Sequence, residues 1–202
     1  IGSRDYFDTD IDGNFNVATA YRQPGSSFKP FVYAEAFNKG FLPQTILFDT
    51  PTEFSSECTP SGIPKHPDAI CYKPQNYEGG YKGPITIRYA LGASRNIPAV
   101  KMIYLVGIQP VINLAKLMGV SNLEDASKYG LSLALGSADV SLLDMTGAYG
   151  VFANDGIKNN TTGVLKIEDS SGKILEEYEE DSKRVLNEQT ARMMNDVLSD
   201  PA

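Results

Sequence analysis

Residues 22–40 read RQPGSSFKPFVYAEAFNKG, and this segment carries the clearest structural signal in the chain. Its apolar residues recur at helical spacing, and Gly40 stands where a helix C-terminus favours glycine. The pattern therefore predicts a helix over residues 26–39. A proline clashes with the carbonyl of the residue four positions earlier, so Pro30 is tolerated only if Ser26 lies in the first turn of that helix.

Within this segment Ser26 and Lys29 form the sequence S-x-x-K. Residues three apart lie on one face of a helix, so the hydroxyl and the amine can meet. A serine becomes a nucleophile when a base takes its proton, and a lysine can be that base when burial and neighbouring positive charge lower its pKa. At a helix N-terminus the Ser26 amide can also stabilise a developing oxyanion. By itself the tetrapeptide is common by chance and only marks the start of a helix.

A second segment, ALGASRNIPA over residues 90–99, contains S-x-N as Ser94 and Asn96. A turn between two helices can aim both side chains into one cleft. Ser94 can then relay a proton between Lys29 and a leaving amine, and Asn96 offers an acceptor and two donors to a substrate amide. The alternative is a loop in which Asn96 only caps the following helix. The two motifs together are much less expected by chance than either alone.

The rest of the chain alternates between irregular and helical segments. Residues 41–83 are punctuated by proline and glycine, and such a long irregular segment is typically functional or wraps an active site. Between residues 163 and 178 the apolar period changes around Asp169-Ser170-Ser171-Gly172, which predicts a hairpin. Pro84 suits a first helical position, and Asn187 is a candidate cap for the last helix. Further helices are predicted over 84–93, 97–106, 109–118, 139–153 and 188–199.

The composition limits the classes of function. The 202 residues carry 18 Lys and Arg against 25 Asp and Glu, which gives a net charge of −7. This acidic balance argues against phosphate neutralisation, so no nucleic-acid partner is expected. No apolar run approaches the roughly 20 residues that span a bilayer. The single histidine, His66, leaves a Ser–His–Asp triad only one possible base.

The two cysteines, Cys58 and Cys71, lie in a segment rich in turn-forming residues. A disulfide between them would stabilise the fold by about 3 kcal/mol in the chain-entropy model, and two unpaired thiols are the alternative. With His66 they would give only three zinc ligands and no C-x2-C spacing. No metal site and no cofactor are therefore predicted.

The two motifs resemble the signature of penicillin-binding proteins and class A β-lactamases, in which S-x-x-K, an S-D-N-type triplet and K-T-G follow in this order. The chain most closely resembles the transpeptidase domain of class A, bifunctional penicillin-binding proteins. The likeness is carried by residues 22–33, by residues 94–100 and by residues 136–156, which resemble the long core helix of that family. The hairpin and the last helix follow in the family's order, so the resemblance covers nearly the whole chain.

This resemblance implies an α+β fold, namely the mostly helical lobe of the penicillin-binding protein and serine β-lactamase-like transpeptidase fold with a small β-hairpin. It implies a D,D-transpeptidase whose catalytic residues are Ser26, Lys29, Ser94 and Asn96. Ser26 would attack the carbonyl between the terminal D-alanines of a peptidoglycan stem peptide, with Lys29 as base. D-Ala would leave, and an amine of a neighbouring stem would resolve the acyl-enzyme as a cross-link. β-Lactam antibiotics would acylate Ser26 and stay, and His66 has no role in this chemistry.

The sequence departs from the family at the third motif, because K-[ST]-G occurs nowhere in residues 1–202. Its loss removes a cationic anchor for the substrate carboxylate and one oxyanion donor. We therefore expect residues 1–202 to be a partial transpeptidase domain that lacks its first and last sheet strands, with most of the antiparallel sheet outside this chain. A companion chain or segment would carry K-[ST]-G, and the fragment alone would be inactive. The family further implies an extracytoplasmic place at the bacterial cell envelope, with a glycosyltransferase domain and a membrane anchor outside this chain.

Two other functions stay open. A class A β-lactamase needs a deacylating Glu in an E-x-x-L-N-type loop, which the sequence lacks, and Arg95 stands where its triplet has Asp. A non-catalytic β-lactam sensor or cell-wall-binding module would keep Ser26 and its acylation without turnover.

Overall fold

Six α-helices among the described residues form the core of the protein in the computed structural model, which describes residues 2–200. Ile1, Pro201 and Ala202, at the ends of the domain expected over residues 1–202, lie outside the described residues. The α-helices are α1 (Lys29–Asn38), α2 (Ile87–Gly92), α3 (Asn96–Val106), α4 (Ile108–Met118), α5 (Leu142–Ala153) and α6 (Glu188–Leu198). Short 3-10 turns cover Thr9–Ile11, Gly25–Phe28, Ala126–Lys128 and Leu131–Leu135.

The strands are short and pair antiparallel, two by two. The pairs are β1 (Tyr21–Arg22) with β4 (Val140–Ser141), β2 (Ile46–Asp49) with β3 (Gly83–Thr86), β5 (Ile157–Asn159) with β8 (Ser182–Arg184), and β6 (Lys166–Glu168) with β7 (Ile174–Glu177). In the β2–β3 pair Ile46 lies opposite Thr86, and Asp49 lies opposite Gly83. Helices with small separate sheets confirm the predicted α+β class, and β6 with β7 confirms the predicted hairpin.

Helix α1 lies at the centre of the core and packs against α3, α4 and α6. Its side chains Phe31, Val32 and Tyr33 have no solvent exposure. Full burial of an apolar side chain contributes roughly 1.5–3 kcal/mol, so these residues fix the helix firmly in place. Lys29, at the N-terminal end of α1, is also completely buried. A buried lysine is rare unless it is paired, which draws attention to its partners.

The predicted helices are mostly confirmed. The segment predicted over residues 26–39 forms the 3-10 turn Gly25–Phe28 followed by α1, and α3, α4 and α6 match their predicted ranges within about a residue. The predicted cap of α6 is also present, because Asn187 Oδ1 accepts a hydrogen bond of 2.8 Å from the Gln189 N–H. These helices were predictable because their apolar periodicity is local.

Two helix starts were predicted wrongly. Pro84 lies in β3 and not at a helix N-terminus. A proline is tolerated in this strand because a two-stranded pair leaves one edge of each strand free. Helix α2 begins three residues later, where Thr86 Oγ1 accepts from the Tyr89 N–H at 3.2 Å. The helix predicted over residues 139–153 likewise begins later, after β4, where Ser141 caps α5.

The segment over residues 41–83 is largely irregular, as predicted, apart from β2. Within it Cys58 and Cys71 form a disulfide, which decides between the two alternatives and removes both thiols as zinc ligands. His66 is partly exposed, and its Nε2 lies 2.6 Å from the Glu57 carboxylate. Its contacts are therefore local to this loop.

Replacing both cysteines by alanine should lower the free energy of unfolding by about 3 kcal/mol, because the cross-link restricts the unfolded chain. Urea denaturation of the variant and of the parent protein measures this difference. Parent protein treated with a reductant should denature at the same urea concentration as the variant. An unchanged midpoint, with the disulfide verified in the parent by mass spectrometry, would contradict the prediction.

Over residues 2–200, no single helix has the length and apolarity needed to cross a membrane. The pair α3 and α4 would meet that test only when taken together, and the two helices are bent by 96° at their junction.

Candidate active site

Ser26 lies in the 3-10 turn that leads directly into α1. The Lys29 N–H donates to the Ser26 carbonyl, three residues back, as a 3-10 turn requires. Pro30 has no N–H with which to form the α-helical bond to the same carbonyl, so the tight turn accommodates both residues. The prediction that Ser26 stands at the very start of the helix is confirmed.

The serine turn is held from a second side by the segment that precedes β4. Gly136 has a left-handed φ of 73° and follows the 3-10 turn Leu131–Leu135. A Cβ atom on Gly136 would lie 2.2 Å from the Gly25 carbonyl oxygen and 2.5 Å from its nitrogen. Only glycine lets the two backbones approach this closely. In addition, Tyr149 Oη of α5 donates to the Ser27 carbonyl at 2.8 Å.

The ammonium group of Lys29 is bound by the second motif. Its Nζ donates to the Ser94 carbonyl at 2.5 Å, to Ser94 Oγ at 3.0 Å and to Asn96 Oδ1 at 2.8 Å. These three acceptors match the three donors of an ammonium group. Burial is the main cause that lowers the pKa of Lys29 from its ordinary value of 10.5 to about 8, and the positive charge of Arg95 lowers it further. A base with a pKa near neutrality is suited to proton transfer.

The turn that carries Ser94 is strained. Ser94 has a φ of 51°, a left-handed conformation that costs a residue with a side chain roughly 1–3 kcal/mol. The turn is fixed by hydrogen bonds from the Ser94 N–H to the Leu91 carbonyl at 2.9 Å and from the Arg95 N–H to the Ala90 carbonyl at 2.8 Å. In this conformation Ser94 turns both its carbonyl and its hydroxyl toward Lys29. The strained conformation of Ser94 is therefore the one in which the second motif contacts Lys29 of the first.

A cavity of about 310 Å³ opens at the junction of the two motifs. Its lining includes Ser26, Ser94 and Asn96, so three of the four predicted site residues share one cleft. Lys29 lies behind this wall and reaches it through its bonds to Ser94 and Asn96. Among residues 2–200, no hydrogen bond joins the Ser26 hydroxyl to the other three, and such bonds often tighten only when substrate is bound. The other lining residues are Gly25, Asn76, Tyr77, Glu78, Ala93, Arg95 and Leu135.

The irregular segment contributes one wall of this cleft, as predicted for a segment that wraps a site. Asn76, Tyr77 and Glu78 come from residues 41–83. A larger cavity of about 470 Å³ lies between β2 and α3, but its lining is mostly apolar and contains no residue of either motif. Convergent polar groups mark a reactive site better than size does, so the smaller cleft is the candidate site.

The sequence did not predict a role for three buried polar side chains near the cleft, Asp49, Asn76 and Arg95. Arg95 was noted only because it stands where the β-lactamase triplet has Asp. Asp49, fully buried, receives hydrogen bonds from Arg95 Nη2 at 2.8 Å and Nε at 2.9 Å. Asn76 Nδ2 donates to the other carboxylate oxygen of Asp49 at 2.8 Å. Burial alternates along Ile46–Asp49 in the structure, but its sequence, Ile-Leu-Phe-Asp, does not alternate between apolar and polar residues, so it does not mark Asp49 as inward-facing. No local pattern marks Asn76.

Comparison with known proteins shows what this chain is similar to. A family model described as the penicillin binding protein transpeptidase domain matches residues 5–201. Penicillin-binding protein 1A of Rickettsia bellii is 33% identical over 202 residues, which are 100% of this chain and 24% of the relative. Penicillin-binding protein 2D of Bacillus subtilis is 34% identical over 192 residues, which are 95% of this chain and 26% of the relative.

Solved structures agree with the fold. Penicillin-binding protein 1A from Haemophilus influenzae superposes with a TM-score of 0.79 at 27% identity, covering 93% of this chain and 31% of that chain. An imipenem acyl-enzyme complex of penicillin-binding protein A from M. tuberculosis superposes with a TM-score of 0.77 at 18% identity, covering 94% of this chain and 46% of that chain. The predicted transpeptidase fold is confirmed.

The chain therefore belongs to the penicillin-binding protein transpeptidase family. It spans about a quarter of the length of the curated relatives it matches.

Proposed function

We propose that this chain supplies the serine and lysine of a D,D-transpeptidase that cross-links peptidoglycan stem peptides and is acylated by β-lactams. The observation that carries the proposal is the buried Lys29 amine, bound to Ser94 and Asn96 behind a cleft that Ser26 lines. The M. tuberculosis relative, solved as an imipenem acyl-enzyme, supports β-lactam acylation. The family match supports a serine acyltransferase, and the choice of D-Ala-D-Ala as substrate comes from the resemblance.

In this proposal the Ser26 hydroxyl attacks the peptide carbonyl between the two D-alanines. Neutral Lys29 takes the Ser26 proton, the carbonyl carbon forms a bond to Ser26 Oγ, and the peptide C–N bond breaks. The amine of D-Ala leaves with the proton. An amine of a second stem then attacks the ester carbon and loses a proton to Lys29. The new amide C–N bond forms, the bond from that carbon to Ser26 Oγ breaks, and Lys29 returns the proton to Ser26 Oγ.

The contacts of Lys29 indicate how the proton reaches the leaving amine. A neutral amine has two N–H donors and one lone pair, so one of its three present hydrogen bonds is given up when the lone pair takes the Ser26 proton, and the amine donates again once it is protonated. The Ser94 carbonyl and Asn96 Oδ1 are acceptors only, whereas a hydroxyl can also donate. Ser94 Oγ, 3.0 Å from Nζ, is therefore the atom that passes a proton between Lys29 and the substrate.

We also propose that residues 1–202 form part of a transpeptidase domain, and that a companion chain or further segment carries K-[ST]-G and the remaining sheet strands. The whole enzyme would lie outside the cytoplasm at the bacterial envelope, anchored to the cytoplasmic membrane by a segment outside this chain. The absence of K-[ST]-G from the sequence and the quarter-length match to its relatives support this arrangement. Sequencing the gene onward from the codon of Ala202 tests it, and finding no K-[ST]-G within some tens of residues would count against a continuous segment.

Labelling with a fluorescent penicillin tests the function in a chain completed with the third motif. We expect a stable adduct that disappears in Ser26→Ala. Ser27→Ala is the matched control and should label normally, because within residues 2–200 the Ser27 hydroxyl bonds only to the Pro24 carbonyl. No adduct in the completed chain would defeat the proposal.

The fate of the adduct separates the remaining functions. Rapid loss of the label would indicate a β-lactamase. A stable adduct without cross-linking of a donor stem peptide to an acceptor amine would indicate a sensor. A stable adduct together with cross-linking is the result that we expect.

A further inference from the structure

Asn76 makes more hydrogen bonds than any other side chain that the cleft's irregular wall contributes. Its side chain is nearly buried, with 6% exposure. Oδ1 accepts from the N–H groups of Asn96 at 2.9 Å and of Ile97 at 3.3 Å. Nδ2 donates to Asp49 Oδ1 at 2.8 Å and to the Gly80 carbonyl at 3.0 Å. The amide thus uses both donors and both acceptor positions available to it.

The first of these contacts cap helix α3 from outside its own sequence. The first N–H groups of a helix have no partner within it. Arg95 occupies the cap position of α3 but contributes no side-chain cap. Asn76 Oδ1 takes that role across 20 residues of chain. The start of α3 is therefore held by the irregular segment.

The same segment also orients the side chain of Asn96. Asn96 Nδ2 donates to the Gln75 carbonyl at 2.9 Å, which leaves Oδ1 directed at Lys29 Nζ, 2.8 Å away. Gln75 and Asn76 therefore hold Asn96 by its side chain and by its backbone. A shift of this segment would move the acceptor that Lys29 uses.

Asp49 holds Asn76 in turn. Its carboxylate is fully buried, binds Asn76 through one oxygen and pairs with Arg95 through the other. The charged group that acts on Lys29 is Arg95, from the turn before α3, and Arg95 is itself paired with Asp49, from the end of β2. Tyr33 on α1 stays protonated, because burial and the Asp49 charge raise its pKa.

We propose that Asn76, held by Asp49, is a positioning residue that caps α3 and directs the Asn96 side chain onto the Lys29 amine. The effect of Asn76 on catalysis rests on the proposed function, whereas its effect on the titration of Lys29 does not. Neither Asn76 nor Asp49 touches the reacting atoms in this proposal.

Two variants test it in the completed chain. Asn76→Leu has a similar volume but lacks all four hydrogen bonds. The exchange Asn76→Asp with Asp49→Asn keeps one buried carboxylate. The relocated carboxylate can accept from the α3 amides and from the relocated amide, and the pair loses the donor to the Gly80 carbonyl. Above pH 9, where Lys29 is neutral, we expect Asn76→Leu to react with penicillin at least about tenfold more slowly, because misplacing a reacting group by an ångström can cost about a hundredfold. The exchange variant should react within about threefold of the parent.

A titration of Lys29 followed by NMR of its ¹³Cε gives a readout that mere destabilisation does not move. Asn76→Leu should lower the titration midpoint, because the ammonium loses an oriented acceptor, and the exchange variant should restore it. If Asn76→Leu does not fold, Asn76→Ser replaces it, with the same lowered midpoint expected because the shorter side chain cannot bond the α3 amides and Asp49 at once.

The outcomes separate the two proposals. An unmoved Lys29 midpoint in the single variant, or an equal fall in reaction rate in the single and exchange variants, overturns the positioning role. Midpoints that move as expected while no form of the completed chain reacts with penicillin support the positioning role and defeat the proposed function.

Discussion

Replacing Lys29 by arginine should slow penicillin acylation of the completed chain by a factor of about 100 or more, the usual range for loss of a general base. Arginine keeps the positive charge and the donors that now bind Ser94 and Asn96, but it does not deprotonate in proteins. Lys29→Met removes the charge as well as the base and should be equally slow. If Lys29 acts only as a fixed positive charge, the arginine variant keeps its activity and the methionine variant loses it.

The pH dependence of the parent protein gives the same test without a substitution. Because the pKa of Lys29 lies at about 8, the neutral fraction rises with pH, and acylation should be about tenfold faster at pH 9 than at pH 7 before it levels off. Stopped-flow acylation by a fluorescent penicillin measures the profile, and circular dichroism verifies the fold at each pH. A flat profile over this range would be inconsistent with Lys29 as the base. Ser27→Ala should reproduce the parent profile.

The parts of the molecule that sequence predicted are those determined by local pattern. The apolar period of α1 and the proline at its start place Ser26 in the first turn, and α3 begins at the asparagine of the second motif. The sequence pattern and its family resemblance thus selected four residues. In the structure Ser94 and Asn96 bind the Lys29 amine, and Ser26 lines the same cleft as Ser94 and Asn96. Their catalytic roles stay predictions until labelling is done.

The parts that sequence missed depend on contacts between distant residues. Pro84 suits both a helix start and an edge strand, and only pairing with β2, whose Phe48 lies opposite, decides between them. Asp49 and Asn76 are 27 residues apart, and each buried polar side chain is satisfied in part by the other. The disulfide was undecided for the same reason, since its formation depends on a Cα separation of 5.6 Å that the fold creates.

Gly136→Ala should destabilise the protein by about 2–5 kcal/mol and also slow acylation. The left-handed conformation of Gly136 costs an alanine roughly 1–2 kcal/mol. The added Cβ would lie 2.2 Å from the Gly25 carbonyl oxygen, and forcing backbone apart in a packed region costs about 1–3 kcal/mol more. Because Gly25 directly precedes Ser26, the displacement reaches the proposed nucleophile. Urea denaturation and the acylation rate of the folded fraction measure the two effects.

Gly40→Ala is the matched control for this substitution. Gly40 follows the C-terminal end of helix α1 and also has a left-handed φ, of 90°. A Cβ atom on Gly40 would meet no atom within 4 Å. Its variant should therefore show only the conformational cost of roughly 1–2 kcal/mol and should acylate at the parent rate. Equal destabilisation by the two substitutions, with acylation unchanged in both, would show that the approach of Gly136 to Gly25 does not hold the serine turn in place. A larger loss of unfolding free energy in Gly136→Ala than in Gly40→Ala, together with slower acylation, would show that the contact between Gly136 and Gly25 positions Ser26.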